Sequence, residues 1–198
     1  IILKSKCDKK LGLQFTKEIS ISEIDTSVKI CYSITNVSDK ETVVSPWEIS
    51  RMPKGGLVFF PQGLTEPKAK NFDPIPYNKT DNIFWYKSNK EAKQSNHLLS
   101  VADGSEGWLA YTNGNCVLIK KFDDIPPESQ AANEGEIAVY FSLDAPIAEI
   151  EVEGPYTKIE PGKEIKWNMK WIARRIPDEI TTEKFSNDLL RLVNSHTK

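Results

Sequence analysis

A chain of 198 residues has the length of one ordinary domain or one large β domain. Hydrophobic residues make up 39% and charged residues nearly cancel to a net of −2, a balance that builds a core and argues against intrinsic disorder. Lys and Arg are interleaved with Asp and Glu instead of clustered, and no apolar run reaches the roughly 18 to 20 residues that cross a bilayer, so neither nucleic acid nor a membrane is an expected partner.

The chain opens at Ile1 without a methionine, already in the strand-like Ile1-Ile2-Leu3, as a processed end or a piece of a longer protein would. A period of two then dominates: Val28, Ile30, Tyr32 and Ile34 alternate with Lys29, Cys31, Ser33 and Thr35, the pattern of a strand with one buried face. Similar segments at residues 11–21, 43–49, 57–60, 83–86, 108–111, 117–122, 137–141, 150–152 and 165–172 bring the total to about ten strands. Turn chemistry separates them, at residues 36–40, Gly55-Gly56, Asn113-Gly114 and Glu160-Pro161-Gly162. Helical patterns do not intervene, which excludes parallel βαβ units and predicts an all-β sandwich or barrel.

Two stretches break this rhythm. Residues 61–79 hold four prolines and predict a long excursion away from the sheet, while residues 123–134 form a second polar loop around Pro126-Pro127. After Pro177, Phe185, Leu189, Leu192 and Val193 fall on one helical stripe, so residues 177–198 are expected as a helical tail packing on a β domain of residues 1–176. Cys7, Cys31 and Cys116 lack any paired spacing and are expected as small core residues, with one disulfide open to an oxidising compartment.

Several reaction classes lose their signatures here: there is no phosphate-cradling glycine loop, no dinucleotide fingerprint, no H-E-x-x-H and no nucleophile elbow. With His97 and His196 as the only histidines, no metal site and no cofactor is expected. His97 reads either as a satisfied loop residue or as a general acid. The run Ser45-Pro46-Trp47-Glu48-Ile49-Ser50-Arg51 sets an indole beside a carboxylate and a guanidinium, either a core tryptophan with a surface ion pair or a sugar-binding surface. Strict alternation puts Trp47 and Ile49 on one face and Glu48 and Ser50 on the other, so a single cleft holding all of them needs a bulge. Alternation also places Glu149, Glu151 and Glu153 together, either as a solvated face or, if water is excluded, as carboxylates with raised pKa.

Residues 28–63, 107–122 and 149–177 together resemble the galactose mutarotase-like (aldose 1-epimerase-like) proteins, most closely an uncharacterised bacterial branch of them. The resemblance spans about residues 11–177 and rests on a strand, an Asn36-x-Ser38-Asp39 turn, a strand carrying Trp47-Glu48, and a late Glu151/Glu153 strand followed by Pro161-Gly162. It implies a β-supersandwich of two large twisted antiparallel sheets that lacks the family's first strands, with a mono- or oligosaccharide on the concave sheet face. In the family's 1-epimerases a late-strand glutamate is the base, a place matched by Glu151 or Glu153. The family's histidine motif falls where this chain has Trp47-Glu48, so the acid would come from His97 or from the missing N-terminal part.

The resemblance implies three readings. The first is a carbohydrate-binding or carbohydrate-processing accessory protein using Trp47, Glu48, Arg51 and the two glutamates. The second is a sugar 1-epimerase with a glutamate base, and the third a structural domain without sugar chemistry. Missing first strands imply association with an N-terminal segment or another chain to cover open edges. Carbohydrate work in a bacterium favours an exported or periplasmic location.

Overall fold

A computed structural model describes residues 1–88 and 97–198. Its strands are β1 (Ile2–Lys4), β2 (Leu13–Ile21), β3 (Val28–Asn36), β4 (Thr42–Val44), β5 (Trp47–Pro53), β6 (Leu57–Pro61), β7 (Asn78–Thr80) and β8 (Ile83–Lys87). They continue with β9 (Leu98–Ala102), β10 (Trp108–Asn113), β11 (Cys116–Phe122), β12 (Ile137–Phe141), β13 (Ile147–Glu153), β14 (Thr157–Ile159) and β15 (Glu164–Arg175), and helix α1 (Asn187–Thr197) closes the chain. Nine strands form one antiparallel sheet in the order β1-β2-β3-β15-β11-β10-β6-β8-β7. Four more form a smaller sheet, β5-β13-β12-β9, and β14 pairs with β4 as a short ribbon. The result is an all-β sandwich with one C-terminal helix, as the sequence predicts.

Both faces of the large sheet are covered around β6, and its side chains record this. Val58 and Phe60 point between the sheets, into a core shared with Ile137, Val139, Ile150 and Val152 of the small sheet. Leu57 and Phe59 point the other way, against Phe185, Leu189 and Val193. A strand buried on both faces needs an unbroken apolar run, which is what residues 57–60 supply. The helix begins at Asn187, with the Ser186 hydroxyl accepting from the Leu189 N–H, so Phe185 precedes the helix and packs as its flank instead of lying in its stripe. Among the described residues, no helix is long and apolar enough to cross a membrane.

Turn chemistry behaves as the sequence predicts. Gly114 (φ 59°) closes the β10–β11 hairpin, and Gly162 (φ 74°) follows Pro161 between β14 and β15, positions where a side chain would be strained. Asn36 is fully buried and knits a corner: its Nδ2 donates to the carbonyls of Lys40 and Ile159, and its Oδ1 accepts from Ser38.

Three expectations need correction. The single strand expected at residues 43–49 is two strands in different sheets, because Pro46 interrupts the ladder and lets the chain cross from the ribbon into the small sheet. The chain crosses back at Gly154-Pro155, and the two crossings are tied by a hydrogen bond from the Gly154 N–H to the Pro46 carbonyl, 2.8 Å. The cysteines are free, and Cys7 and Cys116 are exposed instead of serving as core residues. Strand β9 was not expected, because its Leu-Leu-Ser-Val-Ala run lacks a period of two.

Candidate functional site

The small sheet carries three carboxylates among apolar residues on its outer face. In β13, Ala148, Ile150 and Val152 point into the core, which leaves Glu149, Glu151 and Glu153 on the outside. In β5 the same alternation turns Trp47, Ile49 and Arg51 outward. In β12 it turns Ala138 and Tyr140 outward. Register brings these residues into rows across the sheet: Arg51, Glu149, Tyr140 and Leu99 in one, and Ile49, Glu151, Ala138 and Val101 in the next.

The proline-rich excursion supplies a wall. It bridges to β9 at Lys68 with Val101 and at Asp73 with Leu98, which holds Lys70, Asn71 and Phe72 over the sheet face. Sheet and excursion line a cleft of about 470 Å³, with Glu134 and Gly135 completing its rim. Lys70 pairs with Glu134 across the rim.

Within the cleft each carboxylate has a different environment. Glu149 pairs with Arg51 at 2.8 Å. Glu151 is 4% exposed, and its Oε2 accepts a hydrogen bond of 2.9 Å from the indole Nε1 of Trp47, which is itself 62% exposed. Burial raises the pKa of Glu151 from its ordinary value, the hydrogen bond from the indole opposing the shift and the negative Glu149 adding to it. Burial likewise raises Glu153, against the nearby charge of Lys70. The glutamate face is therefore neither fully solvated nor uniformly neutralised.

Glu48 does not belong to this site. Alternation turns it to the opposite face of β5, where it is 4% exposed and pairs with the fully buried Lys120 of β11, while Ser50 donates to its other oxygen at 2.7 Å. Lys120 also donates to the Ile150 carbonyl at 2.7 Å. Burial depresses the Lys120 pKa to about 8, and the Glu48 carboxylate works against that shift. The expectation that Glu48 binds ligand beside Trp47 and Arg51 is thus corrected by the two-residue period of the strand.

His97 lies at the entry to β9, outside the cleft lining but next to it. Its Nδ1 meets the Tyr140 hydroxyl at 2.6 Å and accepts from the Leu143 N–H at 3.1 Å, and its Nε2 faces the Asp144 carboxylate at 3.4 Å. Phe72 packs its ring edge-on against both His97 and Tyr140. Tyr140 is a cleft residue that the sequence reading missed, although alternation within residues 137–141 was enough to turn it outward. Lys70 and Phe72 carried no such signal, since only tertiary structure lays the excursion over the sheet.

Behind the rim, Glu136 is 1% exposed and accepts from the Ile125 N–H at 2.8 Å. Burial pushes it up to about 8, with Asp124 and Asp103 adding repulsion. Among the described residues, no group of three or more His, Cys, Asp or Glu side chains is placed to hold a metal ion.

Among proteins of curated function, none matches the chain in sequence. Solved structures do match in fold. A Klebsiella pneumoniae protein provisionally named an aldose 1-epimerase superposes with a TM-score of 0.61 at 12% identity, covering 98% of this chain and 52% of its own. A galactose mutarotase related enzyme from Lactobacillus acidophilus gives 0.53 at 11% identity, covering 91% and 69%. A galactose mutarotase-like protein from Lactobacillus casei gives 0.52 at 12% identity, covering 87% and 68%. The chain thus spans about half the length of the Klebsiella protein and about two thirds of the other two. The model of one family, Domain of unknown function (DUF4380), matches residues 1–174. This chain belongs to the DUF4380 family and carries the galactose mutarotase-like fold.

Proposed function

We propose that the cleft on the outer face of the small sheet binds a carbohydrate ring, making this a carbohydrate-binding or carbohydrate-processing accessory protein. The observation that carries the reading is the coupling of an exposed indole to a buried carboxylate: Trp47 stands largely in solvent, yet its ring nitrogen orients Glu151 in the cleft beside it. An indole face covers the apolar C–H patch of a pyranose, while carboxylates and a guanidinium make charge-assisted hydrogen bonds to its hydroxyls. A cleft of about 470 Å³ has the size of small-molecule sites. The names of the structural neighbours make sugars the natural ligand class to try first. Two-dimensional exchange NMR on a panel of mono- and oligosaccharides tests this: sugar lines broaden with the wild type and sharpen with Trp47→Ala. Unbroadened lines across the panel would return the domain to a purely structural role.

A second reading, a sugar 1-epimerase, is favoured by the burial of Glu151 in the cleft, which raises the pKa of a carboxyl placed to exchange a proton with a bound ligand. It expects anomer exchange peaks above the buffer rate that vanish in Glu151→Gln.

A further inference from the structure

Trp47 belongs to two concavities. Besides the cleft it lines a groove of about 700 Å³, formed where β5, the edge strand of the small sheet, leaves part of the large sheet uncovered. Leu3, Phe15, Tyr32 and Ile34 line this groove, and register sets Lys17 of β2 directly opposite Tyr32 of β3 on the same face. The lining holds Lys4 and Lys17 and neither Asp nor Glu, whereas the cleft is lined by Glu134, Glu149, Glu151 and Glu153 against Lys70. One exposed indole thus borders a basic groove and an acidic cleft.

Lys17 is placed to meet an anion. Its ammonium lies 5.1 Å from the centre of the Tyr32 ring and 5.7 Å from that of Trp171. Lys120 approaches the same Trp171 ring at 5.8 Å, but its charge is matched by the buried Glu48. Among the described residues no carboxylate pairs with Lys17. Ring faces attract an ammonium without accepting along its three N–H bonds as a carboxylate does, so the pair of rings fixes the position of the charge and leaves its donors available.

We infer that this groove binds the carboxylate-bearing unit of an acidic saccharide, with Lys17 as its anchor and Trp47 as a wall shared with the cleft. The inference rests on the carbohydrate-binding reading and names the ligand class within it. Phe15, 39% exposed, and the exposed Leu3 offer apolar surface to a ring, which a small inorganic anion would not use. Like charges repel, so the four carboxylates of the cleft disfavour an acidic unit there and select a neutral one. The ligand that fits both concavities is therefore a uronate linked to a neutral sugar, the uronate in the groove and the neutral ring in the cleft.

Calorimetric titration with two disaccharides tests this: an aldobiouronic acid, glucuronate linked to galactose, and its neutral counterpart with galactose in place of the glucuronate. The acidic disaccharide is expected to bind about tenfold more tightly. Lys17→Met keeps an apolar stem over the two rings without the charge, and is expected to abolish that preference while leaving the neutral affinity within about twofold. Lys17→Arg keeps the charge and is expected to retain the preference. Equal affinities in the wild type, or a preference that survives Lys17→Met, would overturn the inference and leave the carbohydrate reading standing. Binding of neither disaccharide, nor of any sugar in the wider panel, would overturn both. Triglutamate is the control for an acidic peptide: an affinity as high as that of the acidic disaccharide, lost in Lys17→Met, would overturn the assignment to a saccharide.

Discussion

Glu48 of the small sheet and Lys120 of the large sheet meet as a buried ion pair between the two, the lysine fully buried and the glutamate 4% exposed. Removing one charge leaves the other desolvated and unpaired, whereas replacing both with apolar groups removes the desolvation cost together with the attraction. Glu48→Leu alone is expected to lower stability in urea unfolding by about 3 to 5 kcal/mol. The double variant Glu48→Leu with Lys120→Met should recover most of that loss. A single variant no worse than the double would show that the pair is solvated in solution.

Trp47 is expected to contribute to ligand binding mainly through its ring face. Trp47→Ala should weaken sugar affinity about three- to tenfold, the range of a lost aromatic contact. Trp47→Phe keeps a face but drops the indole donor to Glu151, so it should bind nearly as well while raising the Glu151 pKa further. Calorimetric titration and carboxyl NMR shifts read these two effects separately.

Burial holds a proton on Glu136 up to about pH 8, against about 4.5 for the ordinary carboxyl. Between those values the folded state binds more protons than the unfolded one, so this group's contribution to stability is complete below about pH 4.5 and is lost as pH rises through 8. Glu136→Gln should therefore match the wild type near pH 4 and be the more stable protein at pH 8. Thermal unfolding of both across that window checks the sign, and parallel curves would refute it.

Asn36 satisfies two carbonyls from one buried amide and accepts from the Ser38 turn. Asn36→Ala leaves those groups without partners and should cost about 1 to 3 kcal/mol. Asn36→Asp keeps the acceptor but removes the donors, and is expected to be no milder. Denaturant midpoints with an unchanged slope would assign the loss to the folded state.

Much of this site was legible because a strand's side chains alternate without exception unless a bulge intervenes. Parity alone grouped Glu149, Glu151 and Glu153 and separated Trp47 from Glu48, and the structure keeps both groupings. Parity cannot choose which of two faces meets the other sheet, so it could not tell that Glu48 would face Lys120. The break at Pro46 was legible in principle, since proline donates nothing to a ladder, but the apolar residues on both sides read as one run. Register lay beyond the sequence, because neither Tyr140 beside Glu149 nor the placing of Phe72 over the sheet leaves a local pattern.

The hydrogen bond between Gly154 and Pro46 makes one corner of the molecule responsible for the alignment of the site. Trp47 and Glu153 are the residues immediately beside the two crossings, and Glu151 lies two positions further along. A methyl group on Gly154 would come within 2.8 Å of the Pro46 ring and 2.9 Å of the Trp167 indole nitrogen. One of those neighbours must give way, and a retreat of Pro46 carries Trp47 with it, off the carboxylate it orients. Position 154 therefore works as an adjusting screw for the cleft, able to detune it without contacting anything bound there.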